Sequence, residues 1–294
     1  MTLTIFTPTY NRGYILPELY KSLCNQTSQC FKWLIVDDGS SDNTRELVKS
    51  WITENKISIT YIYQKNQGKM QAHNTGVLSC DTDLFLCVDS DDYITENTVD
   101  DIINIDSDLI LHEDIAGIIS YRGSSGNEVI GTEFPNDIIV SKLNNLYKYG
   151  FKGDTTIILK TKILKGNLFP RIDGEKFITE SYIYDKIDIK YSYILLRKIH
   201  IVCKYRDDGY TKNILTLMNE NPIGFMLYYH QRAQFEKNIF LKIKYLIQYL
   251  SYALFNIKRL MSVNFVVIIF LFPYSFIYKL RMSVKYMMVR IKND

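Results

Sequence analysis

The chain has 294 residues, of which 47% are hydrophobic and 23% charged, with a formal net charge of +3. That length and mixture support a packed core and exclude a disordered or low-complexity chain. The five cysteines (Cys24, Cys30, Cys80, Cys87, Cys203) are scattered without a CxxC or a Cys/His cluster. Neither a structural zinc site nor a disulfide-stapled fold is expected, and a reducing cytosol fits.

The opening MTLTIFTPTYNR lacks a basic segment followed by a long apolar run, so no signal peptide is expected. From there β-prone runs at 3–7, 31–36, 57–63 and 84–88 alternate with helix-like segments at 14–25, 42–55 and 69–79. FKWLIV and LFLCV are almost wholly apolar, as parallel strands covered on both faces require. The alternation predicts a doubly wound, mostly parallel α/β sheet.

Every one of these runs ends in a polar cluster: Thr7–Arg12, Asp37–Ser40, Asn66–Lys69 and Asp89–Asp92. In an open parallel sheet, ligands bind beyond the carboxyl ends of the strands, so the four clusters are expected to meet in one crevice. Asp89-Ser90-Asp91 has a chemical logic there. A diphosphate repels bare carboxylates, but Mg²⁺ or Mn²⁺ makes acidic and phosphate oxygens joint ligands of one hard cation. A spacing of two puts Asp89 and Asp91 on the same side of an extended strand end. An isolated DxD is more often a polar turn; its place after LFLCV, in step with three other clusters, favours the metal. Asp37–Asp42 reads as a turn and helix cap, and Asp38 can also accept the imide N–H of a uracil or thymine ring.

Residues 100–211 read as α+β and continue the sheet. β-prone pieces fall at 109–111, 117–121, 155–159 and 200–205, with a polar helix-like segment at 175–189. After Asn221-Pro222 the pattern turns to aromatic-rich helices punctuated by lysine. From Lys237 onward there are ten Lys or Arg and one acid, a net of +9, which leaves −6 on the first 236 residues. The apolar segment 263–278 is shorter than the ~20 residues of a membrane span and contains Asn264 and Pro273. With basic residues at both ends, it is expected to lie in the plane of a membrane surface, with a true span and a buried core helix as the alternatives.

TPTYNR, VDDGSSDNT, NQGKMQAHNTG and VDSDD, in that order and spacing, resemble the inverting family-2 glycosyltransferases of the GT-A fold. The resemblance is close over residues 3–92, looser to about Thr211, and similar to that of bacterial surface-polysaccharide enzymes. It implies a GT-A domain over 1–215, with a nucleotide-sugar half at 1–100 and an acceptor half at 101–215. A helical, membrane-associating extension at 216–294 follows.

The resemblance also implies site roles. Pro8, Thr9 and Asp38 become nucleoside contacts, and Lys69 lies near the donor phosphates. Asp89 becomes a ribose or metal contact, and Asp91 the principal ligand of Mg²⁺ or Mn²⁺. His73 stands where many members have Arg, and is expected to pack, with a weaker phosphate contact as the alternative. Glu180, in Phe177-Ile178-Thr179-Glu180, is the expected catalytic base, with Asp154 and Asp185 as rivals. Arg206, in a block similar to one near the end of the catalytic core, is a candidate diphosphate clamp; an ordinary Asp-Gly turn is the alternative.

The expected activity is transfer of one sugar from a UDP-sugar to a glycan or lipid-linked acceptor at the inner face of the cell membrane. A sugar nucleotidyltransferase is disfavoured, because Thr7–Arg12 has no Gly-rich phosphate loop. A processive synthase is disfavoured because the only tryptophans are Trp33 and Trp51, both early. An inactive GT-A scaffold is the remaining alternative. No nucleic-acid partner is expected, since the basic residues of the tail sit among aliphatics.

Overall fold

The computed structural model describes residues 1–203, 213–253 and 265–293. The chain divides into two compact units, Met1–Phe169 with Ile183–Lys204, and Pro170–Tyr182 with Tyr205–Asp294.

The first unit opens with the expected alternation: β1 (Leu3–Thr9), α1 (Leu16–Cys24), β2 (Phe31–Asp37), α2 (Thr44–Glu54), β3 (Ile59–Tyr63), α3 (Lys69–Ser79) and β4 (Leu84–Cys87). Then come β5 (Tyr93–Ile94), α4 (Thr98–Ile103), α5 (Ser107–Leu111), β6 (Ile115–Ser125), β7 (Glu128–Val129) and β8 (Val140–Ser141). The series closes with α6 (Leu143–Lys148), β9 (Thr155–Lys160), α7 (Thr161–Lys165), α8 (Ser181–Lys190, whose first turn belongs to the second unit) and β10 (Ser192–Val202). One sheet runs β3-β2-β1-β4-β9-β6-β10-β5, with β7 on β6 and β8 on β10. β1 to β4 are parallel, whereas β9 is antiparallel to both β4 and β6, so the sheet is mixed.

Burial explains why these runs form strands. All seven residues of β1 are buried, and six of the seven in β2, as covering on both faces demands. Trp33 on β2 is fully buried; its indole N–H donates to Thr7 Oγ1 at 3.0 Å, so no polar group is stranded. On that face Trp51 lies between Tyr20 and Trp33, with ring centroids 4.3 and 5.7 Å away. On the other face Phe6 stacks on Phe85 at 5.1 Å.

Two local expectations fail. Residues 109–111 lie in α5, not in a strand, because Asp106 accepts the N–H groups of Asp108 and Leu109 and caps a helix there. The helix expected over 175–189 begins only at Ser181. Ahead of it the Glu175 carboxylate accepts the N–H groups of Ile223 and Gly224, each at 2.8 Å. Glu175 therefore caps a helix far along the chain.

That helix belongs to the second unit, which contains α9 (Ile214–Glu220), α10 (Pro222–Phe235), α11 (Ile239–Ala253) and α12 (Phe265–Asn293). Pro222 opens α10, and Asn221 Oδ1 accepts the N–H groups of Lys176 and Phe177 at 2.9 Å. Met218, Phe225, Met226, Tyr229, Tyr249 and Tyr252 form its core. The tail differs from its expected form: α12 continues through Pro273. Its stretch Val267–Met288, 22 residues at mean hydropathy 1.4, is by length and composition alone enough to cross a membrane. Ile268, Leu271 and Met282 nevertheless pack on the core.

One close contact sets how α3 lies on β1. A Cβ on Gly76 would fall 2.4 Å from Cε2 of Phe6, a ring that is fully buried. Gly76→Ala should therefore lose about 1–3 kcal/mol through overpacking, outweighing the helix-propensity gain of about 1 kcal/mol. Chemical denaturation checks the sign, and a stabilised variant would contradict this packing.

Candidate active site

The loops beyond β1 and β2 are stitched together by their own hydrogen bonds. Asn11, with φ 53°, donates its N–H to Ser40 Oγ and accepts the N–H of Ser41, both at 2.8 Å. The Gly13 N–H donates to Asp42 Oδ2 at 3.0 Å. Asp37, fully buried, accepts the Ser40 N–H at 2.7 Å and the Tyr61 hydroxyl at 2.5 Å. Burial, and then that carboxylate, push the Tyr61 phenol up, so it stays a donor. Pro8 and Thr9 are buried at the end of β1, and Thr9 Oγ1 has no hydrogen-bond partner among the described residues.

Asp38 is the hub. Its Oδ1 accepts from Gln64 Nε2 at 2.7 Å and from the Gln67 N–H at 2.9 Å, and its Oδ2 accepts the Gly68 N–H at 2.7 Å. Gln64 Oε1 in turn accepts the Thr75 hydroxyl on α3 at 2.7 Å. Gly68 has φ 92°, a conformation that side-chain-bearing residues rarely adopt, and it delivers the chain into α3. Asp38 thus fixes where Lys69, the first residue of that helix, begins.

Lys69 Nζ reaches both oxygens of Asp89, at 2.7 and 2.9 Å. Burial opposes ionisation of Asp89, but Lys69 and Arg122 prevail and hold its carboxyl below the usual range. The expectation of an extended Asp89–Asp91 pair is corrected. β4 stops at Cys87, and the Asp92 N–H closes a turn onto the Asp89 carbonyl at 3.1 Å. Asp91 is half-buried and makes no hydrogen bond or ion pair among the described residues.

No three acidic, His or Cys side chains gather into a metal cage among the described residues. The donor set nonetheless fits Mg²⁺ or Mn²⁺ in the mode that takes one or two carboxylates and fills the remaining positions with phosphate oxygens and water. Asp91, uncommitted among the described residues, and ionised Asp89 are the two carboxylates that would hold it.

Arg122, Cys203 and Asn74 are neighbours whose roles the sequence does not single out. Behind the turn Asp92 is buried; Arg122 Nη1 lies 3.5 Å away and the Cys203 thiol donates to it at 3.3 Å. Burial, opposed by Arg122 and reinforced by Asp89, lifts the Asp92 carboxyl to about 7. Burial likewise pushes the Cys203 thiol up to about 12. The amide of Asn74 spans the Phe169 backbone, donating to its carbonyl at 2.8 Å and accepting its N–H at 2.9 Å. His73 is buried with Phe6, Phe85 and Phe169 edge-on at 5.3 to 5.7 Å, which is a packing position.

The remaining candidates lie on other elements of the chain. Glu180 lies in the second unit, half-buried, immediately before α8. Asp185 is buried within α8, and Asp154 is exposed just before β9. Arg206 lies outside the described residues.

Residues 4–139 match glycosyl transferase family 2. Glycosyltransferase GlyG of Streptococcus pneumoniae serotype 4 is 28% identical over 194 residues, 61% of this chain and 62% of that protein. The poly(ribitol-phosphate) beta-N-acetylglucosaminyltransferase TarS of Staphylococcus aureus is 28% identical over 170 residues, 57% of this chain and 29% of that protein. The chain thus spans about three fifths of the first relative and under a third of the second. A crystal structure of TarS residues 1–349 with UDP-GlcNAc superposes with a TM-score of 0.59 at 21% identity, over 86% of this chain and 72% of that one. A Pyrobaculum calidifontis mannosyltransferase bound to GDP-Man and Mn²⁺ gives 0.55 at 15%, over 99% and 86%. Both show a GT-A fold. The order of strand-end clusters, the mixed sheet and the sequence match agree: residues 4–139 of this chain are similar to glycosyl transferase family 2.

Proposed function

We propose that this protein is a metal-dependent, inverting glycosyltransferase that moves a single sugar from a UDP-sugar to a glycan or lipid-linked acceptor in surface-polysaccharide assembly. The observation that carries the reading is the pairing of Lys69 with Asp89 at the carboxyl edge of the sheet, beside Asp91, which has no partner among the described residues. A cation for phosphate and two carboxylates for a metal are what a sugar diphosphate needs. The capture of TarS with UDP-GlcNAc supports a uridine donor.

In this reading residues 1–100 take the donor and 101–215 the acceptor. Pro8 and the hydroxyl of Thr9 face the nucleoside. Asp38 Oδ2, which holds one N–H, retains a lone pair for the base. Lys69 contacts the diphosphate. Asp89 and Asp91 would hold a divalent cation, which would supply neutralisation of the charge that grows on the leaving diphosphate. Glu180 takes the proton of the acceptor hydroxyl, which attacks the anomeric carbon opposite the leaving diphosphate. An α-linked donor then gives a β-linked product.

The protein works at the inner face of the cell membrane, with α12 in the plane of the lipid surface. Its inner residues pack on the core of the second unit, while Phe270 and Phe276 are 71% and 53% exposed. A helix apolar on both sides and covered on one calls for another apolar neighbour.

Three experiments test the chemistry. Calorimetric titration with UDP, GDP and ADP, with and without Mn²⁺, should show metal-dependent binding that favours UDP; no binding by folded protein would reject the donor reading. Asp91→Ala should lower transfer on the order of a hundredfold or more, and full activity would remove its metal role. Glu180→Gln should keep donor affinity while cutting turnover roughly 10²- to 10⁴-fold; an active variant would return the base to Asp154 or Asp185. For the tail, the double variant Phe270→Glu, Phe276→Glu should abolish co-sedimentation with anionic vesicles and leave the fold intact. Unchanged sedimentation would count against α12 as the contact.

A further inference from the structure

The geometry points to a second role for Lys69, one that rests on the proposed donor reading: we infer that its ammonium holds the cation position on Asp89 until a diphosphate draws it away, so that metal and nucleotide each bind weakly alone and tightly together.

The pair is more enclosed than the surface pair Lys32–Asp81, which likewise brings both carboxylate oxygens within 2.9 Å of one Nζ. Both Asp89 oxygens lie within 2.9 Å of one Nζ, and the two side chains are only 17% and 30% exposed. Lys32–Asp81, by contrast, is 49% and 71% exposed. Position is also imposed. Lys69 is the first residue of α3, and the turn before it is fixed by the two N–H groups that Asp38 accepts from Gln67 and Gly68. Asn74 anchors the same helix to the backbone of Phe169.

A divalent ion seeking Asp89 therefore meets a carboxylate whose two oxygens already face an ammonium. Binding metal alone means breaking that pair and leaving two cations side by side. Binding diphosphate alone also breaks it, and leaves the bare Asp89 carboxylate facing phosphate. When both ligands arrive, the pair is broken once for two binding events: Lys69 turns to phosphate as the metal takes Asp89. A cost shared in this way is positive coupling, and linkage makes it equal in both directions. Direct sharing of the metal by carboxylate and phosphate adds coupling of its own, so the part due to Lys69 is isolated by removing the ammonium.

The test reads Mn²⁺ binding rather than turnover. Free hexa-aqua Mn²⁺ is followed by electron paramagnetic resonance during titration of wild type, Lys69→Met and Lys69→Arg, each with and without UDP. Thermal unfolding of each variant establishes that it is folded. Wild type should bind Mn²⁺ weakly alone and much more tightly with UDP. Lys69→Met should bind Mn²⁺ alone roughly tenfold more tightly than wild type, with a smaller gain on adding UDP. Lys69→Arg, which keeps the charge, should behave as wild type. Unchanged or weakened Mn²⁺ binding by folded Lys69→Met overturns the inference. If wild type binds neither UDP nor Mn²⁺ in any combination, the donor reading itself fails. If UDP and Mn²⁺ bind together but Lys69→Met gains nothing, the donor reading stands and only the cation-holding role of Lys69 falls.

Discussion

The first unit depends on the carboxylate of Asp38. Placed by β2 at the sheet's carboxyl edge, it accepts three N–H donors, two of them from the backbone that leads into α3. Those N–H groups precede a helix and would be stranded if nothing accepted them. A negative group at a helix N-terminus is also favoured by the helix dipole. One interaction therefore satisfies donors, complements the dipole and sets where α3 starts. The positive φ of Gly68, the side-chain bridge from Gln64 to Thr75, and the reach of Lys69 to Asp89 all follow from that start.

What α3 does along its length is consistent with this. Gly76 lets it sit against the ring of Phe6, His73 fills an aromatic pocket, and Asn74 ties it to Phe169. The helix is thus fixed at its start by charge, along its body by close packing, and across its side by a paired amide. Such a support is needed if one ammonium is to be held within hydrogen-bond reach of one carboxylate in a half-buried site, where a loose pair would gain little over solvent.

Much of this is legible in the sequence, for a physical reason. β1 and β2 are buried on both faces, so their sequences are apolar runs that can be recognised without context. The clusters that follow are legible because parallel strands bring their ends to one edge. Illegible are the interactions that join distant residues. Glu175 reads as the beginning of a helix, yet its partners are the N–H groups of Ile223 and Gly224. Asp38 reads as a residue facing the crevice, and nothing local reveals that Gln67 and Gly68 occupy it. The Asp89–Asp92 turn is hidden because an alternating carboxylate spacing fits an extended strand as well as a turn. Asn74 is silent beside His73, since an amide gives no sign of the backbone it will bridge.

The last helix shows where composition stops deciding. Counted along the sequence, Val267–Met288 is long enough and apolar enough to cross a bilayer. A crossing helix, however, must exchange its neighbours for lipid over its whole length, and α12 has neighbours of its own. Ile268, Leu271 and Met282 lie on the core that Tyr249, Leu250 and Tyr252 build, and Ser275 between them is fully buried, its hydroxyl returned to the Leu271 carbonyl at 2.9 Å. These positions recur at three, four and seven residues, which is one side of one helix. Pulling the helix into a bilayer would expose that core, whereas laying its outer side on a membrane leaves the core intact. The packing of the inner side, rather than the length of the apolar stretch, therefore decides that α12 is part of its domain.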